Sequence, residues 1–211
     1  MTHIKNIIFD LGGIFIDIDY AATREAFINL GLTDIDKLYQ QDFVSDLFEN
    51  LEIGAIGEDD FYDGLRKTSQ LSLTNHQIET AWNKMLGTFW SKRLQLAKQL
   101  KENHQVFLLS NTNIIHYKAF QNVFSLQFPE NSLESHFHQA YYSHQMGLRK
   151  PNAECYLKII QDHQLNISET LFIDDTLKNI EGAKLIDLIT FHFTNDLDFE
   201  EELHKLLNFQ H

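Results

Sequence analysis

The sequence predicts an α/β fold: a doubly wound parallel sheet built from residues 1–19 and 88–211, interrupted by a small all-helical insert at residues 20–87. Two observations predict it. From Ser91 onward, short β-branched and aromatic runs alternate with stretches of helical periodicity, the pattern of βαβ units and a parallel sheet. Between Tyr20 and about Gly87 that strand signal is absent, and apolar residues recur at helical spacing alone. Crossovers between parallel strands are expected to be right-handed.

Taken in order, Ile7-Ile8-Phe9 is a buried strand that ends on Asp10, with Gly12-Gly13 close behind. A strand that carries a carboxylate to its end and then turns tightly is how an open α/β sheet presents a reactive group. An Asp that caps a turn is the plainer reading of this stretch alone. Residues 14–19 alternate apolar and acidic, which suits a short hairpin or flap. Helical spacing follows at residues 22–30, 38–48, 61–71 and 78–89. Thr74-Asn75-His76-Gln77 has the capping-box form, and Gly54 and Gly57 separate helices.

A helix at 94–103 precedes the strand Val106-Phe107-Leu108-Leu109, which ends in Ser110-Asn111-Thr112-Asn113. A helix to about residue 124, a polar loop at 127–135 and a weaker strand, Gln139-Ala140-Tyr141-Tyr142, come next. Gly147-Leu148-Arg149-Lys150-Pro151 turns into a helix at 153–163. The strand Thr170-Leu171-Phe172-Ile173 ends in Asp174-Asp175. A helix at 177–185, a strand at 188–193 and a helix at 199–207 complete the chain.

The bulk numbers narrow the function. A formal charge of −13 with no basic block argues against nucleic acid or an anionic membrane surface as partner. Phosphate binding remains open to such a chain where a lysine, backbone amides or a cation supply local positive charge. The single Cys155 makes no internal disulfide and suits a reducing cytoplasm, where it is expected as an inert core thiol. No apolar run approaches a membrane span, and the N-terminus lacks signal-peptide form. The expected setting is therefore cytoplasmic.

Three strands end in chemistry: Asp10, Ser110-Asn111 and Asp174-Asp175. In a parallel sheet those ends share one edge, and Lys150, beside Pro151, is placed to join them. Each element has a bland alternative. Asp174-Asp175 suits a helix N-terminus, Ser110-Asn111 an ordinary cap, and Lys150 a solvated surface. Together they suggest crowded carboxylates gathered by a divalent cation, Mg²⁺ with phosphate being the usual mode. One carboxylate is then free to attack phosphorus.

Asp10-Leu11-Gly12-Gly13-Ile14, Ser110-Asn111, Lys150-Pro151 and Asp174-Asp175 with Asn179 resemble, in order, the four motifs of the haloacid dehalogenase-like hydrolase superfamily. The inserted helices resemble its small helical cap. FDLGG, LLSNTN, GLRKP and FIDD-x3-N-x-EGA are similar to bacterial sugar-phosphate phosphatases of the α-D-glucose-1-phosphate type. The resemblance implies a small phosphate ester as substrate and Asp10 as nucleophile. It implies Mg²⁺ on Asp10, the Gly12 carbonyl and Asp175, with Asp174 assisting directly or through water. Ser110 and Asn111 would hold the phosphoryl group, and Lys150 would neutralise it and orient Asp10.

Gly12 departs from that pattern, since these phosphatases usually carry a second Asp there as general acid and base. Its absence suits an acidic leaving alcohol, such as the anomeric hydroxyl of a hexose 1-phosphate. It also suits a metal-free 2-haloacid dehalogenase, in which Asp10 attacks carbon, or a catalytically silent binding protein. Asp174-Asp175 favours metal and phosphate over the dehalogenase. Asp17 and Asp19 are candidate stand-in acids, otherwise solvated carboxylates of the flap. His136, His138 and His144 lack zinc spacing and are expected in loops or at the surface, and Trp82 and Trp90 in a core or cap–core interface.

Overall fold

A computed structural model describes residues 4–33, 42–194 and 198–208. Its strands are β1 (Asn6–Phe9), β2 (Ile16–Ile18), β3 (Leu86–Phe89), β4 (Gln105–Ser110), β5 (Gln139–Tyr142), β6 (Thr170–Asp174) and β7 (Ile189–His192). Its α-helices are α1 (Tyr20–Asn29), α2 (Asp42–Glu52), α3 (Glu58–Ser69), α4 (Asn75–Trp82), α5 (Ser91–Leu100), α6 (Ile114–Gln127), α7 (Ser143–Met146), α8 (Ala153–Asp162), α9 (Leu177–Lys184) and α10 (Phe199–Asn208).

Five strands form one parallel sheet in the order β5-β4-β1-β6-β7. Every residue of β1 is buried, as expected of a central strand covered on both faces. The two-residue pleat sorts the core. Phe9, Leu108 and Ile173 belong to one cluster, with Leu94 and Ala97 of α5, Phe120 of α6 and Phe199 of α10. Ile8, Phe107 and Phe172 belong to the other, with Tyr156 and Ile159 of α8 and Ala183 of α9. Cys155 lies in that second cluster, the core thiol the sequence suggests.

The insert has a core of its own, which includes Phe27, Phe48, Leu51, Phe61, Leu65, Ile78 and Trp82. Local sequence sets its helix ends. At the start of α3 the Asp60 carboxylate accepts from the Gly57 N–H at 3.3 Å, and the first turn holds Glu58, Asp59 and Asp60 against the positive end of the helix dipole. Thr74 and Gln77 form the expected capping box at α4. Of the helix expected at 38–48, residues 38–41 lie outside the described residues.

One expectation fails. The periodicity at residues 78–89 reads as a single helix, but α4 stops at Trp82 and a 3₁₀ turn, Asn83–Met85, leads into β3. β3 pairs antiparallel with β2, Ile16 facing Phe89 and Ile18 facing Leu86. A strand this short is decided by its partner, and the partner lies about seventy residues earlier in the chain, outside any local window. The junction expected at residue 87 therefore falls inside β3.

Candidate active site

The parallel register puts the carboxyl ends of β1, β4 and β6 on one edge. Asp10 follows Phe9 directly, its N–H donating to Ile173 O at 2.9 Å, while Ser110 and Asp174 are the last residues of β4 and β6. All three are buried, and so is Lys150. Lys150 Nζ donates to Asp10 Oδ1 at 2.6 Å and to Asp174 Oδ2 at 2.7 Å.

The Asn111 side chain fixes that lysine. Its carbonyl oxygen accepts from the Lys150 N–H and its amide donates to the Lys150 carbonyl, both at 2.9 Å. The loop after β4 is pinned from the start of α7: the Thr112 N–H donates to Ser143 Oγ at 2.9 Å, and the Ser143 hydroxyl donates to Thr112 O at 2.7 Å. Asn113 caps α6, accepting from the N–H groups of Ile115 and His116.

Asp174 is held on both oxygens. Asn179 Nδ2 donates to Oδ1 at 3.2 Å and Oδ2 at 3.0 Å, and the Thr176 N–H donates to Oδ1 at 2.7 Å. Asp10 Oδ2, by contrast, accepts no hydrogen bond among the described residues. Asp175 lies against the turn after β1. A Cβ on Gly13 would stand 2.0 Å from Asp175 Oδ2, and φ there is +67°. Gly13 is therefore required by space and by backbone conformation together. Arg93 Nη1 clamps the same turn, donating to Gly13 O at 3.0 Å and Ile14 O at 2.9 Å, with its guanidinium 3.9 Å over the Trp90 ring.

One oxygen each of Asp10, Asp174 and Asp175 lie within 4.8 Å of one another. Burial pushes the Asp10 carboxyl up to about 7; Lys150 opposes the rise, and Asp174 and Asp175 add to it. Burial, then Asp174, also raises Asp175. Burial pulls the Lys150 ammonium down, but Asp10 and Asp174 outweigh it and the net is a rise, so Lys150 stays charged. Three carboxylates against one ammonium leave a surplus of two negative charges, which a divalent cation with oxygen ligands matches.

The edge opens into a cavity of about 590 Å³, shared between the sheet and the insert, with Tyr20, Phe48, Glu52 and Trp82 among its walls. Asp17 and Asp19 do not line it. Asp19 caps α1, accepting from the Ala22 N–H at 3.0 Å, and Asp17 is exposed on β2. His138 is exposed as expected, but His136 is buried, with Nδ1 hydrogen-bonded to Ser132 O at 3.1 Å. Sequence reasoning missed Ser143, Arg93, His116 and the Glu52–Arg149 pair. The contacts that matter reach across the chain, Ser143 to Thr112, Arg93 to Gly13, His116 to Trp82 and Arg149 to Glu52, and no local pattern announces them.

A sequence profile of haloacid dehalogenase-like hydrolases matches residues 4–187, and the chain belongs to that family. It is 34% identical over 206 residues to a D-ribitol-5-phosphate phosphatase of Bacteroides thetaiotaomicron, covering 97% of this chain and 99% of that one. It is 25% identical over 209 residues to a sesquiterpene phosphatase of Aspergillus oryzae, covering 98% of each. A crystal structure of a HAD family enzyme from B. thetaiotaomicron superposes with a TM-score of 0.87 at 31% identity, over 95% of this chain and 98% of that one. The same enzyme has been solved in complex with magnesium and inorganic phosphate, with a TM-score of 0.82 at 32% identity, over 94% of this chain and 98% of that one. No helix among the described residues is long and apolar enough to cross a membrane.

Proposed function

We propose that this protein hydrolyses a small phosphate monoester, of the sugar- or polyol-phosphate class, with Mg²⁺ as cofactor and through an aspartyl-phosphate on Asp10. The observation that carries the reading is the surplus of carboxylate: Asp10, Asp174 and Asp175 meet over a single ammonium at the mouth of a cavity. The relatives named as phosphatases, and the magnesium and phosphate complexes of the similar enzyme, support it.

Asp10, Asp175 and the Gly12 carbonyl would hold the cation. Asp174, saturated by Lys150, Asn179 and Thr176, would act on it through water and keep Lys150 in place. When bound, Mg²⁺ draws charge from the phosphoryl oxygens. Lys150 holds Asp10 Oδ1 and so orients the carboxylate toward phosphorus. Ser110 Oγ and the Asn111 N–H bind phosphoryl oxygens, the Asn111 side chain being occupied with Lys150.

Asp10 attacks phosphorus and the bond to the ester oxygen breaks, the alcohol leaving as it takes up a proton. Water then attacks phosphorus, gives up its proton, and releases phosphate and the Asp10 carboxylate. The helical insert covers the cavity and limits water during transfer.

A panel of phosphate monoesters, assayed with Mg²⁺ and with EDTA, tests this. Turnover with Mg²⁺ that disappears on chelation and returns on re-addition is the expected result. Turnover of chloroacetate insensitive to EDTA, or silence on every ester, overturns it.

A further inference from the structure

The cavity is far larger than a phosphoryl group fills, and its wall toward the insert carries charge. Arg149 directly precedes Lys150, yet its guanidinium points to the insert. Nη2 lies 3.0 Å from Glu52 Oε2 and Nη1 lies 3.5 Å from Glu49 Oε2, both on α2. Both side chains line the cavity and keep part of their surface open, 28% for Arg149 and 29% for Glu52. Arg149 Nε has no hydrogen-bond partner among the described residues, so the pair leaves donors and lone pairs unused. Burial also raises the Glu52 carboxyl, with Arg149 opposing. Phe48, Trp82 and Met85 supply apolar wall in the same cavity.

We propose that this side of the cavity is the leaving-group subsite, and that Glu52 and Arg149 select a hydroxyl-rich alcohol there, a polyol or a sugar. The proposal rests on the phosphatase reading above and assigns its specificity. A hydroxyl both donates and accepts, so neighbouring hydroxyls donate to the Glu52 carboxylate and accept from the Arg149 guanidinium where these groups face the cavity. The C–H edges of the same alcohol lie against the apolar wall. A terpenyl leaving group would instead seal both charged side chains against hydrocarbon with their hydrogen bonds unmade, which disfavours it. Because Glu52 belongs to the insert and Arg149 to the sheet domain, the bound alcohol also ties the two together over the reacting phosphorus.

The test compares kcat/KM for pentitol and hexose phosphates, p-nitrophenyl phosphate and farnesyl phosphate at saturating Mg²⁺. Wild type, Glu52→Gln and Arg149→Lys are measured side by side. Wild type is expected to prefer the polyol and sugar esters over farnesyl phosphate by about a hundredfold or more. Each variant is expected to lower the ratio of polyol-ester to p-nitrophenyl-ester kcat/KM by about tenfold or more, chiefly through KM. An unchanged ratio overturns the proposal, whether both activities fall together, as loss of a purely structural ion pair would dictate, or neither moves. So does a wild-type preference for farnesyl phosphate. Hydrolysis of p-nitrophenyl phosphate without preference among alcohols sinks the subsite and spares the phosphatase reading; hydrolysis of no ester sinks both.

Discussion

Ile18 stands close beside Gly12: a Cβ built on Gly12 would stand 3.2 Å from Ile18 Cγ1 and 4.0 Å from Asp10 Oδ2. The position two residues after Asp10, where the family resemblance implies a general acid, thus has no side chain and little slack beside it. With no acid there, cleavage should depend steeply on the leaving alcohol. We expect log(kcat/KM) for aryl phosphates to rise with leaving-group acidity. Gly12→Asp alone should impair the enzyme, whereas Gly12→Asp with Ile18→Ala should flatten the dependence, general acid help being worth about 10²–10⁴-fold. A flat dependence in the wild type would show that another group already supplies the proton.

Lys150 is the only positive charge in contact with both Asp10 and Asp174 among the described residues. Lys150→Met should lower kcat by about a hundredfold or more, and should destabilise the fold at pH 8 by roughly 3–5 kcal/mol, because two buried carboxylates lose their partner. The Asp10 pKa, already raised by burial, then rises further above its unfolded value. The folded state takes up protons first as pH falls, so the deficit should shrink toward pH 5. Denaturant unfolding at pH 8 and pH 5 measures this; equal deficits at both pH values would refute it.

Cation and proton compete for the same carboxylates. With Asp10 raised to about 7 by burial, the apparent Mg²⁺ affinity should fall between pH 8 and pH 6, by up to about tenfold per unit below pH 7. Gly13→Ala should weaken Mg²⁺ by about 10–100-fold, since the new methyl group would stand where Asp175 Oδ2 is. Calorimetric titration with Mg²⁺ reads both. A pH-independent affinity would place the cation away from Asp10.

His116 joins the insert to the sheet domain. Its ring stacks on Trp82 at 4.7 Å, Nε2–H donates to Trp82 O at 3.1 Å, and Nδ1 accepts from Asn113 Nδ2 at 3.1 Å. Burial lowers its pKa from 6.5 to about 4, against the backbone hydrogen bond to Trp82. The unfolded chain therefore binds a proton between pH 6.5 and 4 that the folded chain refuses. Stability is full above about pH 6.5 and falls as pH drops through that window, by on the order of 3 kcal/mol. His116→Gln should remove this part of the acid sensitivity. An unfolding free energy that tracks pH equally in both proteins would contradict it.

Strand identity, the cap signals and the four chemistry-bearing segments were legible in the sequence because each is a local pattern. β-branched runs mark β1, β4 and β6; Thr74 with Gln77 marks the start of α4; Asp10, Ser110 and Asp174 stand at strand ends by their place in those runs. β3 was not legible, since Leu86-Gly87-Thr88-Phe89 becomes a strand only against Ile16 and Ile18.

By itself the sequence determined that a carboxylate-rich edge would form, because parallel strands of fixed polarity must bring their ends to one side. Only the tertiary structure decided how that edge is wired. Asn111 spends its side chain on Lys150, Asp174 is saturated while Asp10 Oδ2 accepts no hydrogen bond among the described residues, Ile18 stands close beside Gly12, and Arg149 turns from its neighbour Lys150 toward Glu52. Some of these contacts are local, such as Asp174 with Asn179, but Lys150 reaches Asp10 across 140 residues and Asn111 across 39, set by packing geometry that no local periodicity encodes.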